Sequence, residues 1–163
     1  MKLSLDRGSI LKLAACILIC EFAGIIGSVF TYPNITTWYA GIQKPWFNPP
    51  NWIFGPAWTI LYALMGIALY LVWKKGFEKK ESRIALSVFV AQLALNTLWS
   101  LLFFGAKNLG LAFAEIIIMW FAILANIILF YRIDRRAGLI LVPYILWVSF
   151  ASLLTYSVWV LNP

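Results

Sequence analysis

Five times along this chain an apolar run recurs that is long enough to cross a bilayer, at about residues 10–30, 52–73, 84–104, 109–131 and 138–160. In hydrocarbon every backbone N–H and C=O must be paired inside the segment, so such runs span as helices. Hydrophobic residues fill 63% of the 163 positions and charged residues 12%, and a soluble domain of this size has too little interior to hide that much apolar surface. The expectation is an all-α integral membrane protein: a single domain, 1–163, built as a five-transmembrane-helix bundle. The first run exceeds the apolar segment of a signal peptide, shows no small-residue cleavage site and has four more behind it, so it reads as a span. One long connection, 31–51, and three short ones join the spans. Short connections imply that sequential neighbours pack antiparallel.

Charge orients this bundle. With five spans, the amino-terminal tail and the second and fourth connections share one side. Eleven of the 13 Lys and Arg fall there: Lys2, Arg7, Lys12, Lys74, Lys75, Lys79, Lys80, Arg83, Arg132, Arg135 and Arg136. Only Lys44 and Lys107 lie on the other side. The positive-inside rule puts the amino terminus in the cytoplasm, and the carboxyl terminus and first connection opposite. The net charge of +7 is thus a topology and lipid-headgroup signal, with membrane lipid as the expected partner and no nucleic acid. The run "KKGFEKKESR" reads as a solvated turn touching anionic lipid.

Several chemistries are disfavoured. The chain has no His, the commonest metal ligand and general base, which argues against a histidine-ligated metal site or a Ser-His hydrolase. Cys16 and Cys20, the only two cysteines, sit four apart on one helix face without metal spacing and read as buried small residues. There is no glycine-rich nucleotide loop and no carboxylate pair at catalytic spacing. No catalytic residue, metal or cofactor is expected.

Glu21, Gln92, Asn96, Glu115 and Asn126 fall inside spans, where a central acid costs about 2.5–3.5 kcal/mol on insertion scales, so they are expected to face the bundle interior or a cavity. Helical spacing gathers them with aromatics. One face of the third span carries Gln92, Asn96, Trp99 and Phe103, and one of the fourth carries Glu115, Met119, Ala122 and Asn126. The second offers Trp58, Tyr62, Met65 and Leu69, and the fifth Pro143, Trp147, Ala151 and Leu154. Such faces suit either interhelical seams or an aromatic-lined cavity. Cys16, Cys20, Gly24, Gly27 and Thr31 form a small-residue stripe on the first span, fitting close packing within the monomer or a homodimer contact. A proton pathway through Glu21 and Glu115 is a weaker reading, since no basic residue inside a span could pair with either.

The segment "KPWFNPPNWIFGPAW", 44–58, joins stiffness to aromatic bulk, with four prolines and three tryptophans. Pro49 and Pro50 are placed to end the connection and Pro56 to sit in the first helical turns, where a missing N–H costs least. Trp52 fits the interfacial aromatic belt equally well.

"WYAGIQKPWFNPPNWIFGPAWTILYALMG", "AQLALNTLWSLLFFGAKNLGLA" and "RRAGLILVPYILWVSFASLLTYSVW" together resemble the translocator protein family, also called tryptophan-rich sensory proteins, TspO/MBR proteins or peripheral-type benzodiazepine receptors. The resemblance runs from about Gly24 to Trp159, and its three motifs occur in order. It implies a five-helix membrane receptor or sensor that binds tetrapyrroles such as protoporphyrin IX, or another flat hydrophobic small molecule, and transports or buffers it. The alternative is light- and oxygen-dependent porphyrin degradation. By position, the implied ligand contacts are Trp58 and Tyr62, Asn96 and Trp99, and Trp147 and Ala151. Tyr39, Trp46 and Phe54 would close the opening, with Lys44 meeting porphyrin carboxylates. Animal members carry a sterol pattern in the last helix. Here Leu154 and Tyr156 remain, but Val160 stands where a basic residue belongs, which argues against high-affinity cholesterol binding.

Overall fold

The computed structural model describes residues 6–163. Seven α-helices occur among the described residues, six in the five spans and α2 in the first connection: α1 (Arg7–Ile35), α2 (Trp38–Gly41), α3 (Phe54–Trp73), α4 (Lys80–Ser100), α5 (Leu109–Ile133), α6 (Arg135–Ile140) and α7 (Val142–Leu161). Five stretches are long and apolar enough to cross a membrane: Arg7–Ile35, Asn51–Trp73, Lys80–Gly105, Leu109–Ile133 and Arg135–Leu161. The chain is a multi-pass membrane protein. Lys2, one of the basic residues used to orient it, lies outside the described residues.

Local chemistry sets the boundaries. The Asp6 side chain caps α1 by accepting from the Ser9 N–H at 2.9 Å. Hydrogen bonding to Ser9 holds this exposed carboxyl below its ordinary pKa. Helix α1 runs past the expected end of the first span, straight through Pro33. Proline removes one bond, to the Val29 carbonyl, and along the same turns the Thr31, Asn34 and Thr37 side chains donate to the carbonyls of Gly27, Phe30 and Pro33. The first connection is correspondingly shorter than 31–51, and it carries α2. At its far end Pro50 leads a 3₁₀ turn, Asn51–Ile53, into α3, and Pro56 lies in that helix's first turn.

Two further irregularities bear on the interior. Helix α4 ends in a wide π turn, Leu101–Gly105, closed by Ala106 N–H on the Leu101 carbonyl at 2.7 Å. Opening the helix there lets consecutive Phe103 and Phe104 both turn inward, where both are buried. Lys107 completes the turn at φ +53°. The last span breaks at Leu141 between α6 and α7, and Pro143 sits at the start of α7, where no helical bond is lost. Pro143 is therefore exposed, and Tyr144 takes the inward position expected of it.

Helix α1 packs against both α3 and α4, α4 against α5, and α5 against α7, while α6 closes onto α3. Although a short turn joins them, α3 and α4 do not pack closely along their backbones as short connections imply. They meet instead through long side chains, Tyr62 to Asn96 and Met65 to Gln92. The small-residue stripe is used inside the monomer. Cys16 and Cys20 are fully buried, and Gly27 faces Ser100 and Thr97. Lys75 and Asp134, 3.5 Å apart, tie together the two connections on the basic side.

Candidate functional site

At the end of the bundle away from the basic cluster, α1, α3, α4 and α7 stand apart around a cavity of about 460 Å³, within the range of small-molecule sites. Proline and helix geometry position its aromatic wall. The Pro50 turn and Pro56 fix the start of α3, so Phe54, Trp58 and Tyr62 follow one another down one face. Phe54 sets its ring edge against Trp147 at 6.1 Å, and Trp58 lies 5.7 Å from Tyr62. From the π turn, Phe103 stacks on Trp99 at 4.9 Å.

Below the aromatic wall is a polar floor. The Tyr62 hydroxyl donates to Asn96 Oδ1, Asn96 Nδ2 to the Tyr144 hydroxyl at 2.9 Å, and that hydroxyl to Gln92 Oε1 at 2.9 Å. Gln92 Nε2 then points at the Met65 sulfur, 3.8 Å away. Of this row, Tyr62 and Asn96 line the cavity. The indole N–H groups of Trp99 and Trp147 are buried with no hydrogen-bond partner among the described residues. The rings of both residues, rather than their nitrogens, border the cavity.

The first connection roofs the cavity. Tyr39 packs on Phe103 and Phe104, and its hydroxyl donates to Asn48 Oδ1 at 2.7 Å. Burial pushes the Tyr39 phenol up to about 12, against the lowering pull of Asn48. A raised folded value means the contribution is complete below the ordinary value near 10 and is lost as pH climbs from there toward 12. Asn162, just past α7, clasps the roof from outside. Its Oδ1 accepts from Gln43 N–H at 3.0 Å, and its Nδ2 donates to the Gln43 carbonyl at 2.9 Å. The cavity's remaining side lies between α1 and α3, where exposed Ile25, Tyr32, Trp52 and Thr59 border it.

Of the nine residues expected at a ligand site, eight line this cavity: Tyr39, Phe54, Trp58, Tyr62, Asn96, Trp99, Trp147 and Ala151. Trp46 does not. It is 95% exposed at the tip of a Pro45–Asn48 turn, while its neighbour Phe47 turns in toward Phe150. Lys44 does not line the cavity either. Its ammonium donates to the carbonyls of Ala40 and Ile42 and lies 4.9 Å from the Tyr39 ring centroid. Trp52 sits at the rim, 74% exposed.

Helix α1 adds a wall that the expected ligand contacts did not include, although Glu21 was expected to face the interior or a cavity. Glu21, Gly24, Ser28 and Thr31 border the cavity, at spacings of three, seven and ten from Glu21 that place them on one helix face. The signal was there in the polar pair Glu21 and Ser28, beside a stripe that reads as packing. Glu115 lies outside the cavity wall, buried in α5, with neither carboxyl oxygen partnered. Among the described residues no cluster of His, Cys, Asp and Glu could hold a metal.

The model of the TspO/MBR family matches residues 16–160. The chain is 47% identical over 154 residues to the "Tryptophan-rich protein TspO" of Archaeoglobus fulgidus, covering 94% of this chain and 99% of that one. It is 40% identical over 136 residues to the human "Translocator protein", covering 82% and 80%. Against the "Tryptophan-rich sensory protein" of Cereibacter sphaeroides it is 41% identical over 125 residues, covering 77% of each.

Proposed function

The chain belongs to the TspO/MBR family, and on that premise we propose that it is a membrane receptor or sensor whose cavity binds a tetrapyrrole such as protoporphyrin IX, or a similar flat hydrophobic molecule. One observation carries the reading: an aromatic-walled cavity of about 460 Å³ brings together eight of the nine expected contacts, with Asn96 at its floor. A porphyrin offers wide π faces to Trp58, Trp99 and Trp147, and indoles stack on such faces in offset or edge geometry. Asn96 serves as a neutral polar contact whose amide is held in place by Tyr62 and Tyr144. Lys44 is engaged on the roof's own carbonyls and is not counted among the ligand contacts. The function calls for binding, with transport or buffering of the ligand as its consequence. The basic side faces the cytoplasm, which sets the roof and the carboxyl terminus on the opposite side.

Protoporphyrin IX titrated into purified protein in the dark quenches tryptophan fluorescence saturably. Trp58→Ala and Trp147→Ala each weaken the midpoint tenfold or more. Titration curves unchanged for both variants would overturn the assignment.

A further inference from the structure

At the opposite end of the bundle a second, open hollow lies where α1 begins and α3 ends. Lys74 caps the end of α3 beside the first turns of α1, and Gly76, at φ +86°, lets the chain turn tightly so that Phe77 joins it. Ser9, Lys12, Tyr70, Trp73, Lys74 and Phe77 form most of its wall. Lys12 Nζ lies 5.9 Å from the Trp73 ring centroid, and Lys74 Nζ 5.6 Å from that of Tyr70. Neither lysine pairs with an acid among the described residues, whereas Lys75 is held by Asp134. Glu78, on the rim, is the one acid in the lining. Tyr70 is only 4% exposed, yet its hydroxyl has no hydrogen-bond partner among the described residues. An unpaired hydroxyl at that depth is costly unless something outside the protein satisfies it.

We propose that this hollow seats the phosphate of an anionic phospholipid headgroup. Two free ammonium groups supply the counter-charge, and the Ser9 and Tyr70 hydroxyls supply neutral donors. Both α1 and α3 are membrane spans that end at this hollow, so it lies at headgroup depth. Trp73 and Phe77, their rings 6.1 Å apart, give the glycerol and upper acyl carbons an apolar floor. That floor favours a lipid over free phosphate, although the phosphate chemistry is shared. This site is separate from the aromatic cavity and does not depend on what the cavity binds.

The test is thermal unfolding of the purified protein in a neutral detergent, titrated separately with dioleoylphosphatidylglycerol, dioleoylphosphatidylcholine and inorganic phosphate. Phosphatidylglycerol raises the melting temperature saturably by several degrees, and phosphatidylcholine does not. The double variant Lys12→Gln/Lys74→Gln moves the midpoint at least fivefold to higher lipid. The double variant Lys79→Gln/Lys80→Gln, on the same turn but outside the hollow, leaves it in place. Tyr70→Phe deletes the orphan hydroxyl, so it melts no lower without lipid but needs about threefold more phosphatidylglycerol. Equal losses in the two lysine pairs would reduce the effect to diffuse surface charge and overturn the site. Equal shifts with the two lipids would do the same. A shift by millimolar phosphate alone, abolished by Lys12→Gln/Lys74→Gln, would keep the anion site but assign it to free phosphate.

Discussion

The two ends of this bundle are packed by opposite rules. Toward the roof, four helices stand apart around a cavity, and rings meet edge to face with open space beside them. Toward the basic side, Gly66 brings α3 so near α1 that a Cβ there would lie 2.5 Å from the Ile17 Cα and 2.8 Å from its nitrogen. Phe89 and Phe130 stack at 5.5 Å in the same half, and Asn126 Nδ2 donates across to the Ala85 carbonyl at 3.1 Å. One half is shaped by what it leaves empty and the other by what it excludes. Glycine serves both halves, with different neighbours. Gly66 faces backbone, which cannot move aside, whereas Gly24 faces only the Tyr62 ring, which borders the cavity.

That difference is open to a direct break. Gly66→Ala should cost about 3 kcal/mol of stability, the upper end of overpacking penalties, because the clash is with main chain. Gly24→Ala should cost less, about 1–2 kcal/mol, since the Tyr62 ring can shift where main chain cannot, although its hydroxyl is tied to Asn96. It should also weaken porphyrin quenching. Thermal denaturation of both variants reads the contrast, and equal destabilisation would erase the distinction between the halves.

A smaller effect is expected where the halves meet. Tyr144→Phe removes the hydroxyl that takes a bond from Asn96 and gives one to Gln92, leaving two buried groups unpaired, at about 2 kcal/mol. Because it also frees the Asn96 amide, ligand affinity should fall together with stability. A variant that melts like the parent and binds like it would remove the polar floor from the argument. The smallest effect belongs to the roof. Asn162→Ala loses the two bonds to Gln43, and with groups exposed to water the cost should be about 1 kcal/mol or less. Its signature is local: faster hydrogen exchange at the Gln43 amide and faster ligand dissociation, with the melting temperature nearly unchanged.

Sequence made the spans plain because hydrocarbon permits few alternatives, and apolar run length reports that constraint directly. The cavity faces of α3, α4 and α7 were also legible, since a large ring at helical spacing can point only one way. What escaped has a common cause. Ser28 on α1 was masked by small neighbours whose spacing also fits tight packing, and Glu21 carried no sign of whether interior or cavity was meant. Helix α1 continues through Pro33, past the expected end of the first span. Trp46 and Phe47 are adjacent in an irregular turn with no period to separate them, so only tertiary contact decides which ring goes inward. The π turn that delivers Phe103 and Phe104 is likewise set by packing rather than by local preference.

The Gln43–Asn162 clasp has a consequence in time. Its partners are 119 residues apart, and one of them follows the last helix. During synthesis Gln43 emerges long before Asn162 exists, so the roof is unclasped while every later span enters the membrane. The cavity acquires its finished ceiling as one of the final acts of assembly, and a nascent chain arrested before α7 would present the same aromatic wall without it.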